Sequence, residues 1–236
     1  MKRIIDIHSH ILPRVDDGCQ SEYEAKKMLE MYEAQNVEAV ICTPHYGVCA
    51  LPDADVDGAY KWIKSVDTNV NLYLGNEILM DKDVFKSIRD KKARPLAGSG
   101  FYLIEFEDWS YCSTADEILI GCATMASIGY NVILAHPERY FSLQLHEEYY
   151  DRIAKFAYLQ INAYDICDTD DNLAKRACHY MLKRKLVTFI GSDAHGADRR
   201  PPKLTNGIQW IYDHCETEYA DAIVHDNAAK IIREGN

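Results

Sequence analysis

The sequence lacks any long apolar run. Its 236 residues contain no stretch long enough for a secretory signal peptide or a membrane-spanning helix, and Met-Lys-Arg leads directly into a strand pattern. It also lacks internal repeats, low-complexity tracts and segments typical of an interdomain linker. These absences predict a cytoplasmic protein without a membrane span, folded as a single domain over residues 1–236.

Positive charge is scarce. The 26 lysines and arginines are outnumbered by 37 aspartates and glutamates, which gives a formal net charge of -11. This balance argues against nucleic acid as a partner, although it does not exclude a local basic patch around one phosphate. The eight cysteines form no Cys-x-x-Cys pair, which favours reduced, mostly buried thiols over a disulfide framework or a zinc ribbon.

The chain instead shows an alternation of strand and helix patterns. Apolar runs typical of strands end near His8, His45, Glu77, Glu105, His136, Asn162 and Asp193. Helical patterns open at Ser21 and cover residues 55–67, 114–128, 147–159, 171–185 and 218–233, and the pattern is weakest over 81–100. Parallel strands need long crossovers, so the alternation predicts an α/β fold with a parallel sheet. Candidate ligands follow six of the seven strands, which favours closure into a barrel.

Two histidines two residues apart open the set of candidate metal ligands. His8 and His10 lie at the end of the first apolar run, and side chains at i and i+2 of a strand share one face. Both imidazoles are therefore expected to reach one ion. The turn that follows carries Asp16 and Asp17, either of which offers an oxygen ligand, but adjacent acids before Gly18 are also ordinary turn formers.

The next strand ends each carry one candidate. His45 and Glu77 follow apolar runs, and Glu105 lies within one. A lone histidine is often structural, but a carboxylate inside an apolar strand must be paired or bound to a metal, because burying it alone is prohibitive. Glu107 has the same parity as Glu105 and is the alternative to it.

The last two candidate strand ends carry His136, then Asp193 with His195 two residues later. In a barrel of parallel strands these ends share one face with the earlier candidates. Imidazoles and carboxylates that converge there make a metal site, and the chemistry predicted for such a site is metal-assisted hydrolysis.

Two arginines are candidates for binding phosphate at the same face. Arg139 follows His136 closely, and Arg200 precedes two prolines, with Arg199 as its alternative. A guanidinium grips two phosphate oxygens at once, although a surface arginine paired with Glu138 is an equally ordinary interpretation of Arg139. The remaining histidines are expected in helical segments and receive no role: His146, His179, His214 and His225.

Seven motifs together resemble a known superfamily. In chain order they are Asp6-Ile-His-Ser-His-Ile-Leu-Pro13, Val15-Asp-Asp-Gly18, Thr43-Pro-His45, Gly75-Asn-Glu77, Ile104-Glu-Phe106, Ala135-His-Pro-Glu-Arg-Tyr140 and Gly191-Ser-Asp-Ala-His195. They are similar to motifs of the PHP (polymerase and histidinol phosphatase) superfamily and, within it, to bacterial metal-dependent protein-tyrosine phosphatases of the CpsB/CapC type. Arg14, where glycine is common, and residues 163–171 depart from the pattern near the expected rim, which bears on substrate choice.

The resemblance implies a distorted seven-stranded (β/α)7 barrel with a metal cluster at the C-terminal ends of its strands. It implies one ion held by His8, His10, Glu77 and Asp193, a second bridged by Glu77 and held by Glu105 and His136, and a third held by Asp17, His45 and His195. It favours Asp17 over Asp16, and it matches Arg139 and Arg200 to phosphate-binding positions. Two to three divalent ions are expected, with manganese first and iron, zinc or magnesium as alternatives.

The implied activity is hydrolysis of phosphotyrosine on an autophosphorylating tyrosine kinase of capsule or exopolysaccharide synthesis. A histidinol-phosphate type phosphatase is the alternative on the same cluster. A metal-dependent amidohydrolase is disfavoured because Glu105 stands where such enzymes carry a bridging lysine. A non-catalytic module is disfavoured because all nine ligand positions carry competent residues.

Overall fold

The computed structural model describes residues 1–47, 49–51, 53–107 and 113–235. Its strands are β1 (Ile4–Ser9), β2 (Val37–Cys42), β3 (His45–Tyr46), β4 (Asn71–Leu74), β5 (Glu77–Leu79), β6 (Phe101–Glu105), β7 (Asn131–Ala135), β8 (Tyr158–Asn162) and β9 (Val187–Gly191). Its helices are α1 (Glu22–Ala34), α2 (Val56–Ile63), α3 (Val84–Arg89), α4 (Ala115–Ile128), α5 (Phe141–Gln144), α6 (Glu148–Ile153), α7 (Ala163–Cys167), α8 (Asn172–Lys183), α9 (Thr205–His214), α10 (Thr217–Asp221) and α11 (Asn227–Gly235). None of these helices is long and apolar enough to cross a membrane.

All the strand pairs are parallel, which confirms the predicted α/β class. Among the described residues the strands form two sheets, in the orders β1-β2-β4 and β3-β5-β6-β7-β8-β9, rather than one closed seven-stranded ladder. The division has a local cause, since β2 and β3 are separated by Thr43 and Pro44, and β4 and β5 by Gly75 and Asn76. Proline has no N–H to donate to a ladder, so the regular strand is interrupted at Pro44, between β2 and β3.

The helices follow the predicted pattern with several differences, among them helices α5 and α7, which were not predicted. The pattern over 147–159 ends early, because α6 stops at Ile153 and residues 158–162 form β8, whose Leu159 pairs with both neighbouring strands. The C-terminal pattern is interrupted by a π-helical turn, Ala222–Asp226, between α10 and α11. Helix α9 was not predicted, since it follows the loop of Arg200, Pro201 and Pro202, where no strand precedes it.

Helix α1 begins where the sequence predicts. The Ser21 hydroxyl accepts a hydrogen bond from the backbone N–H of Glu24 at 3.1 Å, which satisfies one free donor of the first turn. The Glu24 carboxylate accepts from the N–H of Gln20 at 2.8 Å, whereas in a reciprocal capping box it would accept from the N–H of Ser21, one residue later. The complete box occurs at α4, between Thr114 and Glu117.

The core has two parts, on the two faces of the sheets. The larger part lies between the sheets and the surrounding helices. The smaller part is enclosed by the strands and includes Ile5, Ile41 and Ile133, against which α11 packs Ile231 and Ile232. Apolar packing from both sides fixes the strand ends that carry the polar residues described next.

Candidate metal centre

The structure places all nine predicted ligand residues close together. His8 lies in β1 and His10 just after it, Asp17 in the following loop, His45 and Glu77 begin β3 and β5, Glu105 ends β6, His136 follows β7, and Asp193 and His195 follow β9. A parallel bridge between Ser9 and Ala194 joins the ends of β1 and β9. The cluster therefore forms at the carboxyl ends of β1, β6, β7 and β9 and at the breaks where β3 and β5 begin.

The innermost group is fully enclosed. His8 Nε2 and His10 Nε2 lie 3.2 Å apart, and Glu77 Oε2 is 3.1 Å from each of them. Asp193 Oδ1 lies 3.6 Å from both nitrogens. None of the four side chains is more than 3% exposed. Two imidazoles and two carboxylates thus point their ligand atoms at one small space, in the grouping that the sequence resemblance implies.

Glu77 also belongs to a second group of ligand atoms. His45 Nδ1 lies 2.9 Å from Glu105 Oε1 and 3.2 Å from Glu77 Oε2, and His136 Nε2 lies 2.7 Å from Glu77 Oε1. The resemblance implies Glu77, Glu105 and His136 for one ion. The structure instead groups His45 with Glu77 and Glu105, while His136 contacts the other oxygen of Glu77. The His45 imidazole therefore faces two groups.

The third group is more open. Asp17 Oδ1 lies 3.5 Å from His45 Nε2 and 3.6 Å from His195 Nε2, and the Asp17 side chain is 42% exposed. Asp16 is buried and its oxygens are occupied: Oδ2 accepts hydrogen bonds from His10 Nδ1 at 2.8 Å and from the N–H of His45 at 3.0 Å. Asp16 therefore orients the His10 imidazole and holds the backbone of His45, whereas Asp17 presents a free oxygen to the cluster.

The structure also distinguishes Glu105 from Glu107 and Arg200 from Arg199. Glu105 is 12% exposed and points into the cluster, whereas Glu107 is exposed and belongs to none of the ligand groups of the described residues. Arg200 pairs with Asp193 Oδ2, while Arg199 is exposed and donates to the backbone carbonyl of Asp17 at 3.2 Å.

Backbone strain accompanies two of the candidate ligands. His136 and Asp193 have φ values of 33° and 50°, in the left-handed region that non-glycine residues rarely adopt. Such conformations cost about 1–3 kcal/mol each and persist at functional sites where the surroundings impose them. Here they lie immediately after β7 and β9, where the chain turns out of the sheet into the cluster.

The cluster favours positive charge between its groups. Burial would raise the pKa of Glu77, but the facing imidazoles of His8 and His45 outweigh it and hold that pKa well below its ordinary value. Burial opposes protonation of His8, yet Glu77 and Asp193 raise its pKa to about 9. By contrast, burial and the neighbouring His10 lower the pKa of His195 to about 2. In the inner group the carboxylates therefore outweigh the effect of burial and favour a positive charge beside them, which is the charge that a metal ion supplies.

Buried polar atoms that lack hydrogen-bond partners also indicate that the site fits divalent metal ions. His45 Nδ1, Glu105 Oε1 and His136 Nδ1 are buried atoms without a hydrogen-bond partner of acceptable geometry in the part of the chain that the structure describes. Buried polar atoms are otherwise almost always satisfied, so their combination with the closely spaced nitrogens of His8 and His10 indicates a missing partner. A mixture of imidazole and carboxylate ligands suits manganese, iron or zinc.

Strand β8 supplies a supporting layer that the sequence analysis missed. Gln160 Oε1 accepts from His8 Nδ1 at 2.9 Å, and Gln160 Nε2 donates to Asn162 Oδ1 at 3.0 Å. Asn162 Nδ2 in turn donates to Asp193 Oδ2 at 3.2 Å. The available signal was two polar residues at i and i+2 within an otherwise apolar strand, which share one face.

We expect Gln160→Leu to weaken manganese binding by about 10–100-fold, because outer partners of metal-ligating histidines have effects of this size. The substitution leaves the buried His8 Nδ1–H without an acceptor. Calorimetric titration of the metal-free protein with Mn²⁺ measures the change. Gln209→Leu, at an exposed position of α9, is the matched control. Equal affinities for Gln160→Leu and the parent protein would contradict the orienting role.

A second buried network lies beneath β1 and β9. The Tyr32 hydroxyl oxygen is 2.9 Å from Asp6 Oδ2, 2.8 Å from Ser9 Oγ and 2.9 Å from Ser192 Oγ. Asp6 Oδ1 accepts from the backbone N–H groups of His8 and Ser192. Burial raises the pKa of Asp6, although these hydrogen bonds oppose the rise. The network fixes the two chain segments that carry the inner ligand candidates.

Tyr32→Phe is expected to lower the free energy of unfolding by about 1–3 kcal/mol, the cost of leaving buried partners unsatisfied. The lost hydroxyl serves three buried oxygens, and Phe fills the same space otherwise. Urea unfolding followed by circular dichroism measures this difference. Tyr23→Phe, at a position 70% exposed on α1, should change stability little. If both variants unfold at the same urea concentration, the network contributes no net stability.

The two arginines complete the site. Arg139 Nη1 donates to Asp193 Oδ2 at 2.7 Å, and Arg200 pairs with the same oxygen. Burial opposes the charge of Arg139, but Asp193, Asp165 and Glu138 raise its pKa further, so it stays cationic. Both guanidinium groups line a cavity of about 280 Å³ together with most of the ligand candidates.

The four remaining histidines lie outside the cluster. His179 and His214 stack on opposite sides of the Trp210 ring, with centroid distances of 4.3 and 4.0 Å. His225 lies in the π-helical turn, and His146 lies between α5 and α6 rather than in a helix, which corrects the sequence expectation.

Comparison with known proteins gives a consistent result. The chain is 29% identical to the tyrosine-protein phosphatase CpsB of Streptococcus pneumoniae, over 98% of this chain and 99% of that protein. It is 26% identical to the tyrosine-protein phosphatase YwqE of Bacillus subtilis, over 84% of this chain and 79% of that protein.

A solved structure has the same fold. It comes from crystal structures of YwqE from Bacillus subtilis and CpsB from Streptococcus pneumoniae, described as unique metal-dependent tyrosine phosphatases. It superposes with a TM-score of 0.83 at 24% identity, over 98% of this chain and 95% of that one. The family model for capsular polysaccharide synthesis, CpsB/CapC, matches residues 4–233. The chain belongs to the CpsB/CapC family.

Proposed function

We propose that this protein is a metal-dependent protein-tyrosine phosphatase. The observation that carries the proposal is the buried cluster of imidazoles and carboxylates with Arg139 and Arg200 beside it, both paired with Asp193. Family membership and the names of the relatives support the same activity. A metal cluster adjoining two cationic forks is an arrangement suited to a phosphate ester.

We propose that the site holds two to three divalent ions, with manganese before iron, zinc or magnesium. The residues that would hold them are His8, His10, Asp17, His45, Glu77, Glu105, His136, Asp193 and His195. Their closely spaced ligand atoms and unpartnered buried nitrogens and oxygens support this assignment. When bound, such ions activate water near neutral pH and neutralise charge on phosphate oxygens.

The protein's own contribution is to bind and orient the phosphate. Arg139 and Arg200 share Asp193 Oδ2, so each guanidinium retains N–H groups that are free to donate to phosphate oxygens. Asp193 positions both arginines, and Asn162 holds Asp193 in turn. The phenol of tyrosine has a pKa of about 10, so its leaving oxygen needs little protonation and a strong general acid is not required.

We also propose that residues 1–236 form one domain in which the two sheets act as a single interrupted barrel of seven strand positions, with β3 continuing β2 and β5 continuing β4. Hydrogen bonds at the junctions support it: the N–H of Gly75 donates to the carbonyl of Cys42 at 2.9 Å, and the N–H of His10 to that of Ala194 at 2.9 Å.

The substrate that we propose is a phosphotyrosine-containing protein, specifically an autophosphorylating tyrosine kinase of capsule or exopolysaccharide synthesis in the cytoplasm. The family's link to capsular polysaccharide synthesis supports this pathway. The charge balance supports a protein rather than nucleic acid as partner.

The deciding experiment compares two substrates. The purified protein is incubated with a phosphotyrosine peptide or with histidinol phosphate, each with Mn²⁺ and with excess chelator, and released phosphate is measured. Metal-dependent release from the peptide is expected, with loss of activity after chelation. Preference for histidinol phosphate would retain the cluster but replace the substrate. Unchanged rates after exhaustive chelation would refute the metal-dependent mechanism.

A further inference from the structure

A second cavity, of about 490 Å³, adjoins the candidate metal centre. Arg139, Asp193 and Arg200 line both cavities, so the two share a wall at the arginine pair. The far wall is formed by α7 and the loop after it, within the segment 163–171 that departs from the family motifs. A cavity of this size holds an aromatic side chain with part of its backbone.

The acidic residues of this cavity already have partners. Asp171 caps α8 by accepting from the N–H groups of Leu173 and Ala174 at 2.9 and 3.1 Å. Asp165 is buried beside Arg139, and Oδ2 lies 3.4 Å from Asn162 Nδ2. Each carboxylate thus already has one oxygen engaged within the protein.

The basic residues at the cavity edge are, by contrast, free of ion pairs. Among the described residues, neither Lys203 nor Arg199 has a carboxylate within 4.0 Å. Both are exposed, although the protein as a whole carries a net charge of -11. The cavity entrance is thus a local positive site that favours an anionic ligand over a cationic one such as histidinol.

The wall of the cavity includes one aromatic ring. The half-buried ring of Tyr164 lines it, and Lys203 Nζ lies 4.9 Å from the ring centroid. Aromatic rings pair with each other at about 4.5–7 Å between centroids, and the pairing contributes beyond the area that it buries. A substrate ring that enters the cavity beside the arginine pair would therefore meet the Tyr164 ring, at its edge or on the face opposite Lys203.

We propose that this cavity binds the leaving group of a phosphotyrosine peptide, with Tyr164 contacting the substrate ring and Lys203 pairing with an acidic side chain next to the phosphotyrosine. The inference rests on the proposed phosphatase function. A phosphate held by Arg139 and Arg200 lies at the wall shared by the two cavities, and its ester oxygen is then able to point into the second one.

The test uses two phosphotyrosine peptides that differ only in having glutamates or lysines beside the phosphotyrosine. For the manganese-loaded protein we expect kcat/KM to be about threefold to fivefold higher for the glutamate peptide, the range of an exposed ion pair. Lys203→Glu should reverse this preference. A variant that has merely lost its fold cannot reverse a preference, so the reversal is specific to the proposed contact.

Lys155→Glu is the matched control, because it makes the same charge change at an exposed position. Lys155 lies just before the start of β8, whereas Asn162 at the end of that strand lines the second cavity. It should keep the preference for the glutamate peptide. An identical glutamate-to-lysine ratio in the parent protein and Lys203→Glu would overturn the proposal. Failure of the parent protein to hydrolyse either peptide would instead overturn the proposed function.

Tyr164 is tested separately by two substitutions. Tyr164→Ala should raise KM for the phosphotyrosine peptides by about twofold to tenfold, in keeping with the energy of an aromatic pair. Tyr164→Phe keeps the ring and should restore most of the affinity. An unchanged KM in Tyr164→Ala would exclude this residue from the ring site.

Discussion

Glu77→Gln is expected to empty the metal centre and to reduce phosphatase turnover at least about a thousandfold. The factor corresponds to the loss of roughly 4 kcal/mol of charge stabilisation, which is typical of what a metal ion supplies to a transition state. Elemental analysis of the purified variant measures the metal content, and release of phosphate from a phosphotyrosine peptide measures turnover.

The reason for so large an effect is the central position of this carboxylate. Glu77 Oε2 lies 3.1–3.2 Å from nitrogens of His8, His10 and His45, while Oε1 lies 2.7 Å from His136 Nε2. Glutamine keeps the size of the side chain but removes the negative charge. Its amide presents one oxygen and one N–H₂ group, so two of the ligand groups lose their common anion together.

Glu107→Gln is the matched control for this experiment. Glu107 is the same residue type close by in the chain, but it is exposed and outside the ligand groups. It should retain metal and activity. A Glu77→Gln variant that is folded by circular dichroism, holds metal and keeps normal turnover would remove Glu77 from the centre of the mechanism.

The positions of the candidate ligands could be predicted from the sequence because the pattern is local. A charged or imidazole side chain at the end of an apolar, β-branched run is anomalous in itself, as Glu77 and Glu105 illustrate. In parallel strands such ends share one face whatever the order of the strands. The sequence alone could therefore predict that these side chains lie close together, without knowledge of which strands pair.

What could not be predicted depends on contacts between distant parts of the chain. The division into two sheets depends on which strands pair around Pro44 and Gly75. The predicted strand that ends at Asn162 begins at Tyr158, inside the predicted helical range, because Leu159 pairs with β7 and β9. Tyr32 lies on the buried face of α1. Its hydroxyl meets Asp6 and Ser192 only once the fold is formed.

The choices between neighbouring residues show the same limit. Asp16 and Asp17 are chemically identical and adjacent, so composition cannot separate them. They differ in that Asp16 accepts from His10 Nδ1 and from the backbone N–H of His45, whereas Asp17 is 42% exposed and faces His195. Burial and hydrogen bonding, which decide the role of each carboxylate, are properties of the folded loop.

Arg139→Lys is expected to lower kcat/KM for a phosphotyrosine peptide by about 100-fold while leaving metal content unchanged. Lysine keeps the positive charge but loses the planar fork that donates two parallel hydrogen bonds to phosphate. Losses of this size follow when one preorganised donor to a transition-state oxygen is removed. Arg89→Lys, 73% exposed on α3, is the matched control and should behave as the parent protein.

The metal measurement separates two explanations for this loss. Arg139 Nη1 donates to Asp193 Oδ2, whereas Asp193 Oδ1 faces His8 and His10, so the arginine is linked to the inner group through one carboxylate. If Arg139 binds phosphate, turnover falls and the metal stays. If it only positions Asp193, metal content falls together with turnover, and inhibition by inorganic phosphate at equal metal loading is unchanged. A lysine variant with full activity would show that a point charge at this position is sufficient, and the bidentate phosphate contact would have to be abandoned.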